Sequence, residues 1–288
     1  MSQILQTLID GVLLGALYAL FGLGLSISLG VMRMINLAHG DLIVLGAYLC
    51  SMAVTRLGLY VWLSLAVVLP AMFLIGWLLQ RGILNRVVGQ GVMSPLLLTF
   101  GLSIVLQNLM QQMFTSDTRG VPAGAIALRG FQFGAVSLGE LPLLTGAICL
   151  VAFSLAAWSL AGTHLGRMAR AVADDPATAR LVGVNDKRLF PILMGLIGAL
   201  IGLAALLFGM RTAFTPSSGP AQLLYAFEAV VVGGLGSIWG TFFGGLLIGL
   251  SQMVGSQINS GLGPFFGHLV FLLALLARPQ GLFGRSSS

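Results

Sequence analysis

Apolar stretches of about twenty residues, each long enough to cross a lipid bilayer as a helix, recur from one end of this chain to the other. Hydrophobic residues make up 57% of the 288 residues and charged residues only 8%, whereas soluble domains carry about a quarter charged residues. Most of the surface must therefore face lipid or other buried protein. The pattern predicts an all-α, polytopic integral membrane protein, with residues 1–288 forming one transmembrane domain.

The lengths of the apolar stretches predict about eight transmembrane helices plus a glycine-broken or re-entrant helix. The first cationic side chain is Arg33, so the first stretch lacks the basic region of a cleavable signal and is expected to remain as a span. Glycines four residues apart, such as Gly11 with Gly15 and Gly198 with Gly202, predict close packing between helices. The predicted spans lie near residues 11–31, 38–55, 61–80, 92–114, 141–162, 190–210 and 263–277.

Residues 222–255 form an apolar stretch that is too long for one straight span. Glycines interrupt its middle, so we predict a short helix, a break and a second helix, with the break at Gly233, Gly234, Gly236 and Ser237. Non-helical backbone at membrane depth is tolerated only where it is buried in protein or lines a cavity. The break is therefore expected near a transport pathway.

The long polar segment at residues 163–189 is expected to face the cytoplasm. Within it, Asp175 suits a helix N-cap, Pro176 suits the first helical position, and Gly183 suits the left-handed residue that ends a helix. A capped helix of two turns, about 10–12 Å long, is predicted between these residues.

Positive charge predicts the orientation across the membrane. The net charge is +6, but the basic residues are scattered through short loops and form no patch suited to nucleic acid. If residues 163–189 lie inside, the outer side keeps four arginines, Arg56, Arg119, Arg129 and Arg211. The inner side then holds ten basic residues: Arg33, Arg81, Arg86, Arg167, Arg170, Arg180, Lys187, Arg188, Arg278 and Arg285. We predict a multi-pass protein with a cytoplasmic C-terminus and an irregular outer loop at 115–140.

The chain shows no catalytic constellation. Its only lysine is Lys187, and it lacks a G-x-x-x-x-G-K-[ST] loop, which excludes ATP hydrolysis by that route. Its histidines, His39, His164 and His268, are far apart in sequence and lack metal-ligand spacing, so each is interpreted as packed or interfacial. The two cysteines define neither a disulfide framework nor a metal site. We expect no cofactor and no metal in this chain.

Four polar side chains within or beside apolar stretches are candidates for a pathway or gate, because burying a charge at the membrane centre costs about 3 kcal/mol on insertion scales. Glu228 stands alone just before the glycine break. It either faces a pathway or bonds to a neighbouring helix and only fixes packing. Asn36, His39 and Asp41 lie at a span boundary, where helix capping at the interface is the alternative.

Four segments carry a family resemblance. The first is LIDGVLLGALYALFGLGLSISLGVMRMINLAHGDLIVLGAYL, in which Asn36–Asp41 matches an N-[FL]-A-H-G-D pattern. The others are RAVADDPATARLVGVN, VVVGGLGSIWGTFFGG and RPQGLFG. The first segment resembles the opening of the branched-chain amino-acid ABC transporter permeases. The second resembles their cytoplasmic coupling segment, the third their glycine-rich late helix and the fourth their C-terminal end. The chain resembles the shorter permease of the pair, which lacks a long N-terminal extension.

The resemblance implies a transmembrane permease subunit of an ATP-driven importer in a bacterial inner membrane. Its partners would be a second homologous permease, two cytoplasmic subunits that bind ATP and Mg, and an extracytoplasmic solute-binding protein. Residues 163–189 would form a coupling loop that contacts the ATPase through Arg170, Asp174, Asp175, Arg180, Leu181 and Gly183. The translocation pathway or its gates would include Asn36, His39, Asp41 and Glu228.

Branched-chain amino acids are the expected substrate, and the alternative is a permease of the same family for urea, amides or other amino acids. No residue distinguishes among these substrates. An ion-coupled secondary transporter would need sites built from intramembrane carboxylates or unwound helices, and only Glu228 and Asp41 are available. A passive channel would not need the capped cytoplasmic helix.

Overall fold

The computed structural model describes residues 2–91, 93–134 and 136–283. Two predicted features fall outside them: Val92, where the fourth predicted span begins, and Arg285, one of the inner charges. The described residues form two short strands, β1 Gly130–Phe133 and β2 Val136–Gly139, and eleven α-helices. The helices are α1 Ser2–Met32, α2 His39–Thr55, α3 Leu65–Gly82, α4 Met93–Phe114, α5 Glu140–Gly162, α6 His164–Asp174, α7 Pro176–Leu181, α8 Asp186–Arg211, α9 Gly219–Gly233, α10 Ile238–Ile258 and α11 Gly263–Ala277.

Six of these helices are long and apolar enough to cross a membrane, namely α1, α3, α4, α5, α8 and α10, and the apolar helices α2 and α11 are shorter. The predicted polytopic helical class is confirmed, and every predicted span corresponds to a helix. The largest difference lies at the start, where α1 begins at Ser2, ahead of the predicted 11–31. Residues 2–10 contain no proline or glycine that would stop the helix there.

The helices α1 and α8 lie at the centre of the bundle and are largely buried. Glycines allow α1 and α10 to approach closely: a Cβ built on Gly15 would lie 2.6 Å from the Gly245 carbonyl oxygen. Gly198 of α8 packs in the same way against α3, where its Cβ would lie 2.2 Å from the Met72 carbonyl oxygen. The helix packing predicted from glycine spacing is confirmed at both contacts.

The helices α9 and α10 form a hairpin joined by the predicted glycine break. Helix α9 ends at Gly233. The next two glycines, Gly234 and Gly236, have φ angles of 107° and 79°, and Ser237 then caps α10. The two helices predicted on either side of a break are confirmed. Gly236 packs against Gly30, near the end of α1. The break therefore lies at the end of the bundle where α1 ends.

The irregular loop predicted at 115–140 is wrong for its second half, which contains a β-hairpin. Strands β1 and β2 pair antiparallel, with Phe131 opposite Leu138. Two alternating stretches that pair with each other satisfy their backbone groups, and this pairing outweighs the glycine and proline content that favours irregular structure. Gln6 fixes the hairpin to α1, because its Nε2 donates to the Ser137 carbonyl oxygen at 2.8 Å and its Oε1 accepts from Ser137 N at 2.9 Å.

The two ends of the bundle carry different polar groups. Arg211 lies at the end that holds the β-hairpin, where its Nη1 donates to the Leu13 carbonyl oxygen at 3.1 Å. Arg33 lies at the opposite end, where its Nη2 donates to the Ala173 carbonyl oxygen at 2.7 Å beside the glycine break. The segment 163–185 shares this second end, because Ala173 belongs to it.

Candidate functional site

The Asn36–Asp41 segment lies inside the helix bundle rather than at its surface. After α1 the chain folds back along that helix, so that His39 Nε2 lies 2.8 Å from the Phe21 carbonyl oxygen. Phe21 precedes Met32, the last residue of α1, by about 16 Å of helix. The span boundary predicted from the sequence is therefore a buried helix start, which corrects the interfacial interpretation.

Side chains satisfy the non-helical backbone that precedes α2. Asn36 Oδ1 accepts from Ala38 N at 3.1 Å, and Leu37 N donates to Thr99 Oγ1 of α4 at 3.1 Å. Irregular backbone inside a membrane protein needs such partners, because no water is present to replace them. Asp41 does not cap α2, which has no side-chain N-cap bond, so the capping alternative fails for that residue.

Asp41 joins three helices. Its Oδ2 accepts from Ser103 Oγ of α4 at 2.5 Å, and that hydroxyl also accepts from Gln107 Nε2 at 3.1 Å. Its Oδ1 lies against Gly219, the first residue of α9. A carboxylate is stabilised near helix N-termini, which carry partial positive charge, and Asp41 lies at the starts of both α2 and α9.

Glu228 is buried, with 1% of its surface exposed, and pairs with His268 of α11. Its Oε1 contacts His268 Nδ1, whereas Oε2 has no hydrogen-bond partner among the described residues. The His268 side chain is 36% exposed, so the pair extends from the interior to the accessible surface of α11. A bond to a neighbouring helix is one of the two alternatives that the sequence left open for Glu228.

Other polar residues that the sequence analysis did not select complete the Glu228 cluster. Tyr225 stacks on His268 with ring centroids 6.1 Å apart and on Tyr18 with centroids 4.5 Å apart. Tyr18 Oη donates to Gln252 Oε1 at 2.8 Å. The spacing of three residues between Tyr225 and Glu228 places both on one face of a helix and could have indicated this partner. Tyr18, Gln252 and His268 come from helices whose pairing is not visible in one sequence.

The structure brings Asn36, His39 and Asp41 together but leaves Glu228 in a separate cluster. Gly219, which contacts Asp41, and Glu228 lie about 14 Å apart along the axis of α9. Within the part of the chain that the structure describes, no group of three or more His, Cys, Asp or Glu side chains is arranged to hold a metal ion. The two buried clusters can hold helices together or contact a solute.

The polar segment 163–189 contains two helices, which corrects the single short helix predicted there. Helix α6 ends at Asp174, and Thr163 caps its start by accepting from Gly166 N at 3.1 Å. The available signals were Thr163 as an N-cap and the spacing of Ala169 and Val172, which are both buried. Helix α7 has six residues, slightly fewer than the predicted two turns.

Asp175 caps α7 as predicted, and Pro176 occupies the first helical position. Asp175 Oδ1 accepts from Ala177 N at 2.9 Å, and Oδ2 accepts from Thr178 Oγ1 at 2.5 Å. The Thr178 hydroxyl, followed by the backbone amides of Thr178 and Ala177, lowers the pKa of Asp175 below its usual 3.8. Gly183 has a φ of 91°, which confirms the predicted left-handed stop.

Helix α7 is fixed at its end and exposes apolar side chains. Arg180 pairs with Asp186, the first residue of α8, with Nη2 and Nε lying 2.5 Å and 3.0 Å from Oδ2. Leu181 is 87% exposed and Val182 is 74% exposed in the single chain. Arg170 of α6 donates to a backbone carbonyl oxygen of α5 at 3.2 Å. The segment is therefore a structured projection with an uncovered apolar tip.

The whole chain was compared with known families and proteins. The family described as "Branched-chain amino acid transport system / permease component" matches residues 7–277. BraD of Pseudomonas aeruginosa, a high-affinity branched-chain amino acid transport system permease protein, is 30% identical across 98% of this chain and 96% of its own length. LivH of Escherichia coli, with the same description, is 27% identical over the same shares, and the fructose import permease FrcC of Rhizobium meliloti is 30% identical over 76% of this chain and 62% of its own length. The chain belongs to the family of permease components of branched-chain amino acid transport systems.

Proposed function

We propose that this chain imports branched-chain amino acids as a permease subunit of an ATP-driven transporter. The observation that carries the proposal is the family match over residues 7–277, together with BraD and LivH, which each match 98% of this chain and 96% of their own length. The permease is a non-catalytic membrane subunit, so the energy must come from partner proteins. These are a second homologous permease, two cytoplasmic subunits that bind ATP and Mg, and an extracytoplasmic solute-binding protein.

Residues 163–189 are proposed as the ATPase contact. An exposed leucine at the tip of a capped helix is poorly suited to water but well suited to a groove on a partner. The Arg180–Asp186 pair ties α7 to the start of α8, which is a central helix of the bundle, so a force on α7 would reach the membrane part directly. The contact residues would be Arg170, Asp174, Asp175, Arg180, Leu181 and Gly183.

The orientation follows from the same assignment. The end of the bundle that holds Arg33, residues 163–185 and the glycine break would face the cytoplasm, because basic residues are retained on that side. The C-terminal segment returns to this end, where Leu282 N and Phe283 N donate to the carbonyl oxygens of Val232 and Gly233 at 2.8 Å and 3.0 Å. A cytoplasmic C-terminus in a bacterial inner membrane is therefore part of the proposal.

Two buried clusters are proposed to act along the pathway in different ways. Asn36, His39 and Asp41 would hold together the helices that form a gate, since these residues are almost fully buried and link α1, α2, α4 and α9. Glu228 with His268 would contact the pathway, because this pair alone of the two clusters reaches an accessible surface. Neither cluster need bind the solute tightly, because affinity would lie in the solute-binding protein.

Reconstitution tests the function. The chain should be placed in proteoliposomes with the second permease and the ATPase subunits, and uptake of leucine, isoleucine, valine, urea and fructose measured with each candidate binding protein. Branched-chain uptake that requires both ATP and the loaded binding protein is expected. Uptake of only urea or fructose would overturn the substrate, and uptake by this chain alone on an ion gradient would overturn the class.

A further inference from the structure

A cavity of about 590 Å³ opens where α1, α5, α6 and the glycine break meet. Its lining is half polar and includes Arg33 and Arg170, with Asp174 beside them. Two positive charges against one negative charge leave a net charge of +1. Each arginine uses one nitrogen on a backbone carbonyl oxygen, Arg33 on Ala173 and Arg170 on Ala161, and keeps further donors free for a ligand.

The wall of this cavity presents further donors for an anion. Gly22 packs against Thr241 and Gly30 against Gly236, so the face of α1 between them meets the first turn of α10. Ser26 lies one helical turn from each of these glycines and therefore on that face. It is 1% exposed, lines the cavity, and has no hydrogen-bond partner for its Oγ among the described residues. The N-terminus of α10 adds partial positive charge.

An apolar groove of about 660 Å³ continues from the cavity between α5 and α8. The groove and the cavity share Ile27 and Leu160 in their linings. Along α5 the groove extends from Leu160 to Ala147, about 20 Å of helix. One leaflet of the hydrocarbon core is about 15 Å thick, so the groove is long enough for a single acyl chain that enters from the end of the bundle holding Arg33.

We propose that the cavity and groove bind one glycerophospholipid whose headgroup carries a net negative charge. The phosphate would contact Arg33, Arg170 and Ser26, and one acyl chain would lie in the groove. Basic pockets between transmembrane helices at the cytoplasmic side suit such headgroups, and this placement rests on the proposed orientation. The site touches α6 and the glycine break together, so the lipid would link the proposed ATPase contact to the α9–α10 hairpin.

Native mass spectrometry of the purified full chain tests the site, with dioleoylphosphatidylglycerol and dioleoylphosphatidylcholine added at equal concentrations. We expect one retained phosphatidylglycerol, reduced at least tenfold in the double variant Arg33→Gln, Arg170→Gln. The matched control is Arg56→Gln, Arg129→Gln, which removes two exposed arginines from the opposite end and should leave retention unchanged. Equal loss in both double variants, or equal retention of the two lipids, would overturn the proposal.

Two further variants separate charge from folding. Arg33→Lys with Arg170→Lys keeps the charge and should retain most of the lipid. Val151→Trp fills the groove from a position that is already 57% exposed, and should reduce retention with both arginines intact. If Val151→Trp does not change lipid retention, the acyl chain does not lie in the groove and the site as proposed is wrong.

Other occupants give different results. Binding of inorganic phosphate without a retained lipid would show that the arginines serve a soluble anion. Disulfide formation between two chains carrying Val151→Cys in the assembled transporter would show that a second copy covers the groove. Either outcome would overturn the lipid proposal, and neither depends on which solute the transporter carries.

Discussion

Asp41 and Gly219 are in direct contact, and a Cβ built on Gly219 would lie 2.0 Å from Asp41 Oδ1. Asp41 stands in the first turn of α2, and Gly219 is the first residue of α9. Two helix starts thus converge on one buried carboxylate, which offsets the partial positive charge of both. Any side chain at residue 219 would separate them.

The first prediction concerns this contact. Gly219→Ala should lower the stability of the folded chain by about 1–3 kcal/mol, the usual cost of overpacking. The melting temperature should fall accordingly, as measured by size-exclusion chromatography of heated samples. Gly101→Ala is the matched control, because a Cβ on Gly101 of α4 meets no atom within 4 Å. Equal melting temperatures for the two variants would contradict the contact.

The membrane class, the approximate span positions and the glycine break could all be predicted, because they depend on local composition and on glycine conformation. The placement of His39 and Asp41 could not. The N-L-A-H-G-D segment lies at the edge of an apolar stretch and therefore suggests an interfacial position. Only the fold-back along α1 shows that His39 reaches the Phe21 carbonyl oxygen. Likewise Glu228 was selected for its charge, whereas its partner His268 is set by the packing of α11.

The second prediction concerns the Glu228 pair. Glu228→Gln should preserve assembly better than Glu228→Leu, because glutamine can keep a hydrogen bond to His268 Nδ1 while leucine leaves that group without it. We expect at least a twofold higher yield of monodisperse protein for the glutamine variant. Equal yield and equal transport in both variants would show that this carboxylate is incidental.

The third prediction is a pH dependence at α7. Since Thr178 and the nearby amides lower the pKa of Asp175 below 3.8, ionised Asp175 stabilises the helix start at every pH above that usual value. The stabilisation is lost as pH falls through the lowered pKa. Hydrogen exchange at the amides of Ala177 and Thr178 should show protection, relative to Asp175→Ala, that is constant from neutral pH to about pH 5 and disappears only below 3.8. Loss of protection at a higher pH would contradict it.

The fourth prediction tests α7 as a rigid element. Asp175→Ala with Gly183→Val removes the cap and forces a β-branched residue into a φ of 91°. Both ends of α7 should therefore become less ordered. The permease should remain inserted, while the ratio of solute moved to ATP hydrolysed falls in proteoliposomes. An unchanged ratio with normal complex formation would mean that this segment does not couple the two processes.

The last prediction separates a docking residue from an exposed apolar residue in general. Leu181 is 87% exposed at the proposed cytoplasmic end, and Leu128 is 92% exposed at the opposite end, so both lose little packing when changed to serine. If α7 enters a groove of the ATPase, Leu181→Ser removes an apolar anchor and should weaken binding of the purified ATPase subunits about tenfold, as expected for the loss of an interface anchor worth more than 1 kcal/mol. Leu128→Ser should leave that binding unchanged, because the ATPase cannot reach across the membrane. Weaker binding in both variants would point to a general loss of folding, and weaker binding in neither would place the ATPase contact elsewhere on the chain.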